Sequence, residues 1–404
     1  MVNVVSPRPE IAHNLKRQVE LIINSGGFIH PQLSIVADEF GNVRIDSSLP
    51  SELESICFVP NACIWCLDDF RVTLDGNTLG ATPAAPGVTS LHAEMAELMI
   101  GFFNLTDKIE VTKATFPSVS LPGAPALYRH IIKQSGQFAA FKGFAESPAD
   151  RQLLLTFFGS RTITLGAAET AGRQGVHPVT ELANHHADAP SFRSRNYTGV
   201  GLVNWRTKGS SEVFVNYGAE DALKMLLTHG FYDTSAEFIR AVPIDVVIPN
   251  VGILKIVAES PPPGSADIHH PALADLDYWM PLVSKIDAQT LLVSHLLIPP
   301  SSCLLSLRRI LEALVLTLAP RLAADAVSQA VAEIEGNVLG KTEHFYRKLT
   351  QLLATSEAQT LPASASFALK QVGRHQLKRI ARYRKKVRAQ PLSFLASPAP
   401  QKLA

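Results

Sequence analysis

Two short stretches of this chain are rich in polar and aromatic side chains of types that can bind ligands or take part in a reaction. Residues 181–192 read ELANHHADAPSF, so that Asn184, two histidines and an aspartate follow a short apolar run. Residues 212–218 read EVFVNYG and end a β-like pattern with Tyr217. Imidazole and carboxylate groups can bind a metal, an amide can bind a polar ligand, and a tyrosine hydroxyl can orient a reacting group. A metal site, a structural turn and a metal-free binding site are the alternatives.

A zinc site would need several ligands that converge. Ligand types that zinc accepts occur at His177, Glu181, His185, His186 and Asp188. However, the adjacent His185 and His186 would point to opposite sides of an extended segment, and no second cluster has helical i, i+4 spacing. Cys63 and Cys66 form a single C-x-x-C inside an apolar stretch, which favours small buried residues. We therefore expect no metal.

Motifs for phosphate binding and for serine hydrolysis are missing from the sequence. No G-x-G-x-x-G stands between a strand and a helix, and no Walker lysine or Gly-x-Ser-x-Gly is present. Nucleotide-binding folds and hydrolases lose the main sequence support that they would have.

Size and composition indicate two or three globular domains. The chain has 404 residues, of which 46% are hydrophobic and four are cysteines. Such a low cysteine content favours a reducing compartment. The N-terminus lacks the pattern of a signal peptide, and the most apolar stretch, AVPIDVVIPNVGILKIVA, is interrupted by charged residues and prolines. We expect a cytoplasmic protein with no membrane span.

The C-terminal part of the chain is strongly basic. Residues 370–404 hold ten Lys or Arg and no acid, so the rest of the chain, with 27 basic and 36 acidic residues, has a net charge of −9. Apolar residues at 369, 372, 377, 380, 383 and 387 predict an amphipathic helix. We expect a solvated last helix, with an acidic partner for the basic tail 370–390 as the alternative. Because Tyr383 is the single aromatic residue in 370–390, nucleic acid is not expected as a partner.

Helical and strand-like patterns alternate in long blocks. Residues 9–24 predict a helix that ends at SGG, and residues 33–69 predict strands. Helical patterns fill about 91–158, strand-like segments return, and a further helix ends at Gly230. The C-terminal part ends in helices, the last of which are predicted to be interrupted by Gly336, Asn337 and Gly340. The fold class is therefore α+β, with a β-rich core that is split by a helical insertion.

Together, PVTELANHHADA, EVFVNYG and a helix that ends in HGF resemble the SET-domain methyltransferases. The resemblance is to the subgroup typified by the Rubisco large-subunit lysine methyltransferase, and FFGSRTI resembles its Ser-Arg motif. It implies an N-terminal helix (1–28), a first part of the SET core (29–90), a helical insertion (91–158), a second part of the core with the cofactor and catalytic motifs (159–234), a helical substrate-binding-like domain (235–390) and a disordered tail (391–404).

The resemblance also implies a reaction, in which a neutral amine attacks the methyl group of S-adenosylmethionine in line through a narrow channel. Tyr217 would be catalytic. Asn184 would bind the methionine part of the cofactor, the backbone of His185 its adenine, and Arg161 its carboxylate. Ser160 and the turn at Glu39, Phe40 and Gly41 would complete the cofactor site. The substrate channel would include Glu181, Phe214, His229 and Phe231.

Three positions depart from the pattern of the family. EFGN has one glycine where a Gly-x-Gly is usual, Glu181 replaces an aspartate, and His229 replaces a tyrosine. The substrate side is altered most. A protein lysine is the first expectation for the acceptor. A histidine side chain and a small-molecule amine stay open as alternative acceptors. A non-catalytic binding protein with the same fold stays open as an alternative to an enzyme.

Overall fold

The computed structural model describes residues 2–50, 54–135, 149–165, 173–194, 198–218, 221–233, 238–258, 281–300 and 304–389. In these ranges, helices and many small sheets are mixed, so the fold is α+β, as predicted. The chain divides into two compact units. Unit 1 contains Met1–Thr115 and Pro148–Ala219, and unit 2 contains Phe116–Ser147 and Glu220–Ala404.

The described residues form ten α-helices. In chain order they are α1 (Pro9–Asn24), α2 (Ser90–Leu105), α3 (Lys108–Thr115), α4 (Pro117–Ser120), α5 (Pro125–Ser135), α6 (Ala149–Gly159), α7 (Ala222–His229), α8 (Leu304–Leu318), α9 (Ala324–Leu352) and α10 (Ala363–Ala389).

The strands are short. They are β1 (Asn3–Val5), β2 (Phe28–Ile29), β3 (Leu33–Ala37), β4 (Val43–Ser47), β5 (Ser55–Pro60), β6 (Trp65–Cys66), β7 (Phe70–Asp75), β8 (Thr78–Pro83), β9 (Thr162–Thr164), β10 (Gln174–Val176), β11 (Asn184–His185), β12 (Arg193–Ser194), β13 (Gly199–Val203), β14 (Phe214–Val215), β15 (Ile239–Arg240), β16 (Ile244–Ile248), β17 (Gly252–Val257), β18 (Leu282–Asp287), β19 (Thr290–Ser294) and β20 (Leu297–Ile298).

The described residues of unit 1 form five small sheets. β3 pairs in parallel with β1 and antiparallel with β4, and β5 lies inside the four-stranded order β12-β13-β5-β2. The remaining sheets have the orders β6-β10-β9, β7-β8 and β11-β14. Strands on both sides of the helices α2–α6 in sequence therefore share sheets, as the prediction of a split core requires. The helices of that insertion contribute to both units, because Phe116–Ser147 belongs to unit 2.

The start, the buried face and the end of helix α1 follow directly from its sequence. Proline stands at its first position, where a missing N–H costs nothing. Ile11, Leu15 and Ile22 recur at helical spacing and are fully buried. The helix ends before Gly26, whose φ is +82°, at the boundary that the sequence predicts.

Unit 2 combines a sheet with long helices. Its four-stranded sheet has the order β16-β17-β19-β18, and β15 pairs with β20. The segment that was expected to be helical from residue 235 thus begins with strands, in which burial alternates along β16 and in the middle of β17. The helical part of the prediction holds from α8 onward. Gly230 ends α7 in the left-handed conformation, as predicted.

The predicted interruption near residue 336 is wrong. α9 runs through Gly336, Asn337 and Gly340 without a break. Glycine costs a helix interior only about 1 kcal/mol. Ile334, Val338 and other buried residues on both sides of the glycines pack into the core of unit 2. Packing of this face outweighs the local preference.

Helix α10 confirms the amphipathic prediction. Leu369, Val372, Ile380 and Tyr383 are buried, and residues 377 and 387 pack partly against the same core. Among the described residues, no helix is both long and apolar enough to cross a membrane. The predicted disordered tail 391–404 lies outside the described residues.

Candidate functional site

Two very short strands of unit 1 hold the two polar stretches together. β11 pairs in parallel with β14, so that Asn184 lies opposite Phe214 and His185 opposite Val215. Beyond the strands, Asn216 N donates to Pro190 O over 3.0 Å. On its other edge, the second stretch is bound to β4, since Val213 N donates to Ile45 O over 2.7 Å. Hydrogen bonds on both edges therefore fix the segment that leads to Tyr217.

Tyr217 is held by residues on both sides of Asn184 in sequence. Its backbone N–H donates to His185 Nδ1 over 3.1 Å, and its hydroxyl donates to Ala183 O over 2.8 Å. The centroid of its ring lies 5.2 Å from that of the His185 ring. It lies 6.4 Å from the centroid of the Phe192 ring, on which it stacks with an interplanar angle of 9°. Burial, together with the nearby carboxylate of Glu181, raises the pKa of Tyr217 well above its usual range. The phenol is therefore protonated at neutral pH.

Arg161 lies between an aromatic face and a buried carboxylate. Its guanidinium is centred 4.0 Å from the Phe157 ring centroid, and its Nε is 4.0 Å from Glu181 Oε2. Arg161 Nη1 donates to Phe157 O over 3.0 Å and to Ser160 Oγ over 2.7 Å. The two charged side chains are only 15% and 9% exposed. This is the setting in which a guanidinium interacts strongly with anions.

Lys108 adds a second cation that sequence reasoning did not identify. It begins α3, which packs against α6, the helix that leads to Arg161. Burial and then the like charge of Arg161 lower the pKa of Lys108. Burial raises the pKa of Glu181, whereas Arg161 and Lys108 act against that rise. No motif in the sequence marks Lys108, because only the packing of the helices brings it to the cluster.

The turn after β3 carries Glu39, Phe40 and Gly41. Asp38 Oδ1 accepts from Phe40 N over 2.9 Å and from Asn42 N over 2.8 Å, which closes a side-chain turn. Glu39 and Phe40 are exposed. Gly41 has φ +77°, and a Cβ there would lie 2.6 Å from Thr106 Cβ. A glycine is required so that the turn can pack against the end of α2.

The other predicted site residues lie in three different surroundings. Asn184 is exposed and donates to Glu212 Oε1 over 2.7 Å. The Phe214 ring faces Trp205 at 6.4 Å, because alternation along the strand turns it away from the side of Tyr217. Phe192, which the sequence did not single out, lies against Tyr217 instead. His229 and Phe231 belong to unit 2, and their place in a channel stays a prediction.

A strained turn precedes Glu181. Val179 has φ +61° and ψ −52°, and Thr180 N donates to Pro178 O over 2.6 Å, which closes a γ-turn. A buried β-branched residue with positive φ is a true conformational outlier. Such strain is found where a site must be held in one geometry. The neighbouring His177 is buried, and its Nδ1 lies 2.7 Å from Thr180 Oγ1.

The histidines that suggested a metal have separate partners. His185 contacts Tyr217, and His186 lies 4.8 Å from the Trp205 ring. His177 lies 4.9 Å from the Phe192 ring, and burial lowers the pKa of His177 to about 3. Within the ranges that the structure describes, no three metal-ligating side chains cluster.

The chain is similar in structure to several solved methyltransferases. The SET domain of LSMT bound to MeLysine and AdoHcy has 12% identity and a TM-score of 0.39, over 95% of this chain and 94% of that one. Rubisco LSMT bound to Sinefungin and Monomethyllysine has 10% identity and a TM-score of 0.39, over 92% and 90%. Rubisco LSMT bound to AdoMet has 12% identity and a TM-score of 0.36, over 94% and 93%.

Sequence comparison adds nothing to these similarities. No family model matches the chain, and no curated protein matches it. The TM-scores and identities of the similar structures are low.

Proposed function

We propose that this chain is an S-adenosylmethionine-dependent N-methyltransferase with a SET-like core, and that its acceptor is a protein lysine. The observation that carries the proposal is the position of Tyr217, which is bonded to Ala183 and His185 on both sides of Asn184. The two stretches that the resemblance assigns to cofactor and catalysis thus lie side by side, and the Asn184 side chain bonds Glu212 on the face of Phe214.

The residues at this site suit the proposed cofactor. The guanidinium of Arg161 and the ammonium of Lys108 provide the positive charge that a carboxylate needs, and a guanidinium can bind it through two hydrogen bonds. The rings of Tyr217 and Phe192 suit a cationic ligand, because aromatic faces attract positive charge. S-adenosylmethionine, when bound, supplies an electrophilic methyl group on its sulfonium.

The Tyr217 hydroxyl can serve an amine only as a hydrogen-bond acceptor. Its hydrogen is donated to Ala183 O, so its oxygen can only accept a hydrogen bond from an amine. Its raised pKa excludes the phenolate as a base at neutral pH. We infer that Tyr217 orients the amine for in-line attack, and positioning of this kind can be worth about 7–11 kcal/mol in favourable cases.

The acceptor amine must lose its proton before it attacks. For a lysine with an ordinary pKa this costs roughly 4–5 kcal/mol at pH 7. Apolar and aromatic surroundings reduce that cost, since desolvation disfavours the ammonium form. Phe192 and the ring of Tyr217 would provide such surroundings.

Calorimetric titration with S-adenosylmethionine tests the proposal. We expect the wild-type chain to bind, Asn184→Ala to weaken binding about tenfold, and Arg161→Met to weaken it more, because it removes a charged partner. Asn3→Ala, an exposed asparagine on β1 of the same unit, is the matched control and should bind as wild type does. An absence of binding by the folded wild-type chain would contradict the proposal.

The class of acceptor needs a separate experiment. Methyl-labelled cofactor is incubated with the chain and a cell lysate, and labelled protein is separated from labelled small molecules. Label in protein supports a lysine or histidine side chain, and acid hydrolysis then identifies the methylated residue. Label only in small molecules would reject the protein-lysine form of the proposal and favour a metabolite amine.

A further inference from the structure

The outward face of α10 forms a continuous line of positive charge. It is made of six exposed cations: Arg374, Lys378, Arg382, Lys385, Lys386 and Arg388. We call this set the basic stripe. The first three follow at i, i+4 spacing, which places them along one face, and the stripe is about 21 Å long. Residues 363–389 contain no acid.

The positive charge of the stripe is not balanced by the part of unit 2 that the structure describes. Within the described residues, none of the six side chains is in an ion pair. The helix dipole favours Lys386 and Arg388 in the last turn, but like charges at i, i+4 spacing repel each other, so helix stability alone does not favour the first three cations. Burial of its apolar face would hold α10 in the core of unit 2 whichever polar residues stood on its exposed face. The unbalanced charge therefore points to a ligand of opposite charge.

A groove beside the stripe has two cations of the stripe and two alanines in its lining. The groove lies between α9 and α10, has a volume of about 540 Å³ and includes Lys385 and Arg388 in its lining. Glu343 of α9 lies in its wall and bonds Arg384 Nη2 over 3.1 Å. Glu343 also pairs with Arg347, so its charge is balanced within the chain, and Lys385 and Arg388 are left to face a ligand. Exposed Ala381 and Ala389 give the groove apolar contacts as well.

Neither a nucleic acid nor a membrane fits this face as well. Tyr383 is 1% exposed and cannot stack on a base, and Phe367, which is exposed on α10, lies seven residues before Arg374 and so outside the stripe. A membrane-bound amphipathic helix inserts its apolar face, but Leu369, Val372 and Ile380 of α10 are buried in the core of unit 2. A polypeptide with carboxylates and some apolar side chains suits both the stripe and the groove.

We propose that the basic stripe and its groove bind an acidic segment of another protein. This interaction is additional to methyl transfer and does not depend on the proposed function. Its strength comes from several exposed charges, so it should fall steeply as salt concentration rises.

The test uses a fluorescein-labelled peptide of alternating Glu and Leu, measured by fluorescence anisotropy at low salt. The triple reversal Arg374→Glu/Lys378→Glu/Arg382→Glu should weaken binding about tenfold or more. The control Lys16→Glu/Arg71→Glu/Lys208→Glu makes the same change in net charge at exposed positions of unit 1 and should change affinity by less than about threefold. Circular dichroism checks that both variants are folded.

Three outcomes would overturn the proposal. The first is equal loss of affinity in both triple variants, which would mean that only net charge matters. The second is no binding of the peptide by the wild-type chain. The third is stripe-dependent binding of a single-stranded oligonucleotide or of phosphatidylserine vesicles at peptide-like affinity, which would assign the face to another class of partner.

Discussion

The hydroxyl of Tyr217 is the single group on which the proposed chemistry depends. Tyr217→Phe keeps the ring on Phe192 but removes the oxygen that would orient the amine. We expect affinity for S-adenosylmethionine to change by less than about twofold, and methyl incorporation from labelled cofactor to fall about 100-fold or more. Calorimetry and scintillation counting measure the two quantities. Unchanged incorporation would remove Tyr217 from the mechanism.

His177 makes the stability of unit 1 depend on pH. Its pKa is lowered from 6.5 to about 3 by burial, so the folded state disfavours the charged ring. The stabilising effect is complete above pH 6.5, and it is lost as pH falls toward 3, by about 1.4 kcal/mol per unit. His177→Gln should therefore lose about 2 kcal/mol less than wild type between pH 6.5 and pH 5. Urea unfolding at the two pH values measures this difference.

The control for that experiment is His13→Gln, since His13 is exposed on α1. This variant should follow the wild-type pH dependence. If His177→Gln and His13→Gln gave the same slope, the neutral buried state of His177 would be wrong.

At the scale of elements, the γ-turn at Val179 stores strain next to the site. Replacing Val179 by Ala removes side-chain packing but keeps a Cβ, whereas Gly also removes the conflict with a positive φ. We expect Val179→Gly to be more stable than Val179→Ala by about 1 kcal/mol. At Val176, a buried residue of β10 without a positive φ, the Ala variant should instead be more stable than the Gly variant. Urea unfolding measures the four stabilities, and a Gly variant that is less stable than the Ala variant at both positions would contradict the strained turn.

Single-sequence reasoning recovered elements wherever periodicity and packing agree. α1 and α10 have long apolar stripes, and the structure buries those stripes. The division of α9 was predicted wrongly because Gly336 and Gly340 are local signals, while the face that holds the helix together packs against distant parts of the chain. The strands β15 to β20 were not predicted, because the periodicity of an apolar run does not distinguish a buried helix from a buried strand.

The candidate site was only partly visible in the sequence. Asn184, His185 and Tyr217 form motifs, so their proximity could be predicted from a resemblance. Lys108 and Phe192 belong to no motif, and only tertiary packing brings them to the cluster. Phe214 was expected beside Tyr217, but strand alternation would have been enough to place it on the other face.

At the scale of the whole molecule, a buried charge network connects three helices of unit 2. Arg308 of α8 lies 3.1 Å from Glu335 of α9, whose carboxylate accepts from the Tyr383 hydroxyl of α10 over 2.9 Å. Both charged side chains are 3% exposed. Glu335→Leu should cost about 3–5 kcal/mol, because the charge of Arg308 then stays buried without its carboxylate.

The triple variant Arg308→Leu/Glu335→Leu/Tyr383→Phe removes these three polar groups together and should cost far less than the single change. Urea unfolding compares the two. A triple variant less stable than Glu335→Leu would show that the network contributes net stability, contrary to this account.

A crystal structure with S-adenosylhomocysteine tests the central claim most directly. We predict density for the ligand in unit 1, with its carboxylate at Arg161 and its sulfur on the side of Tyr217. Density at any other place, or solid protein packing between Arg161 and Tyr217 in crystals soaked with saturating ligand, would contradict the proposed site.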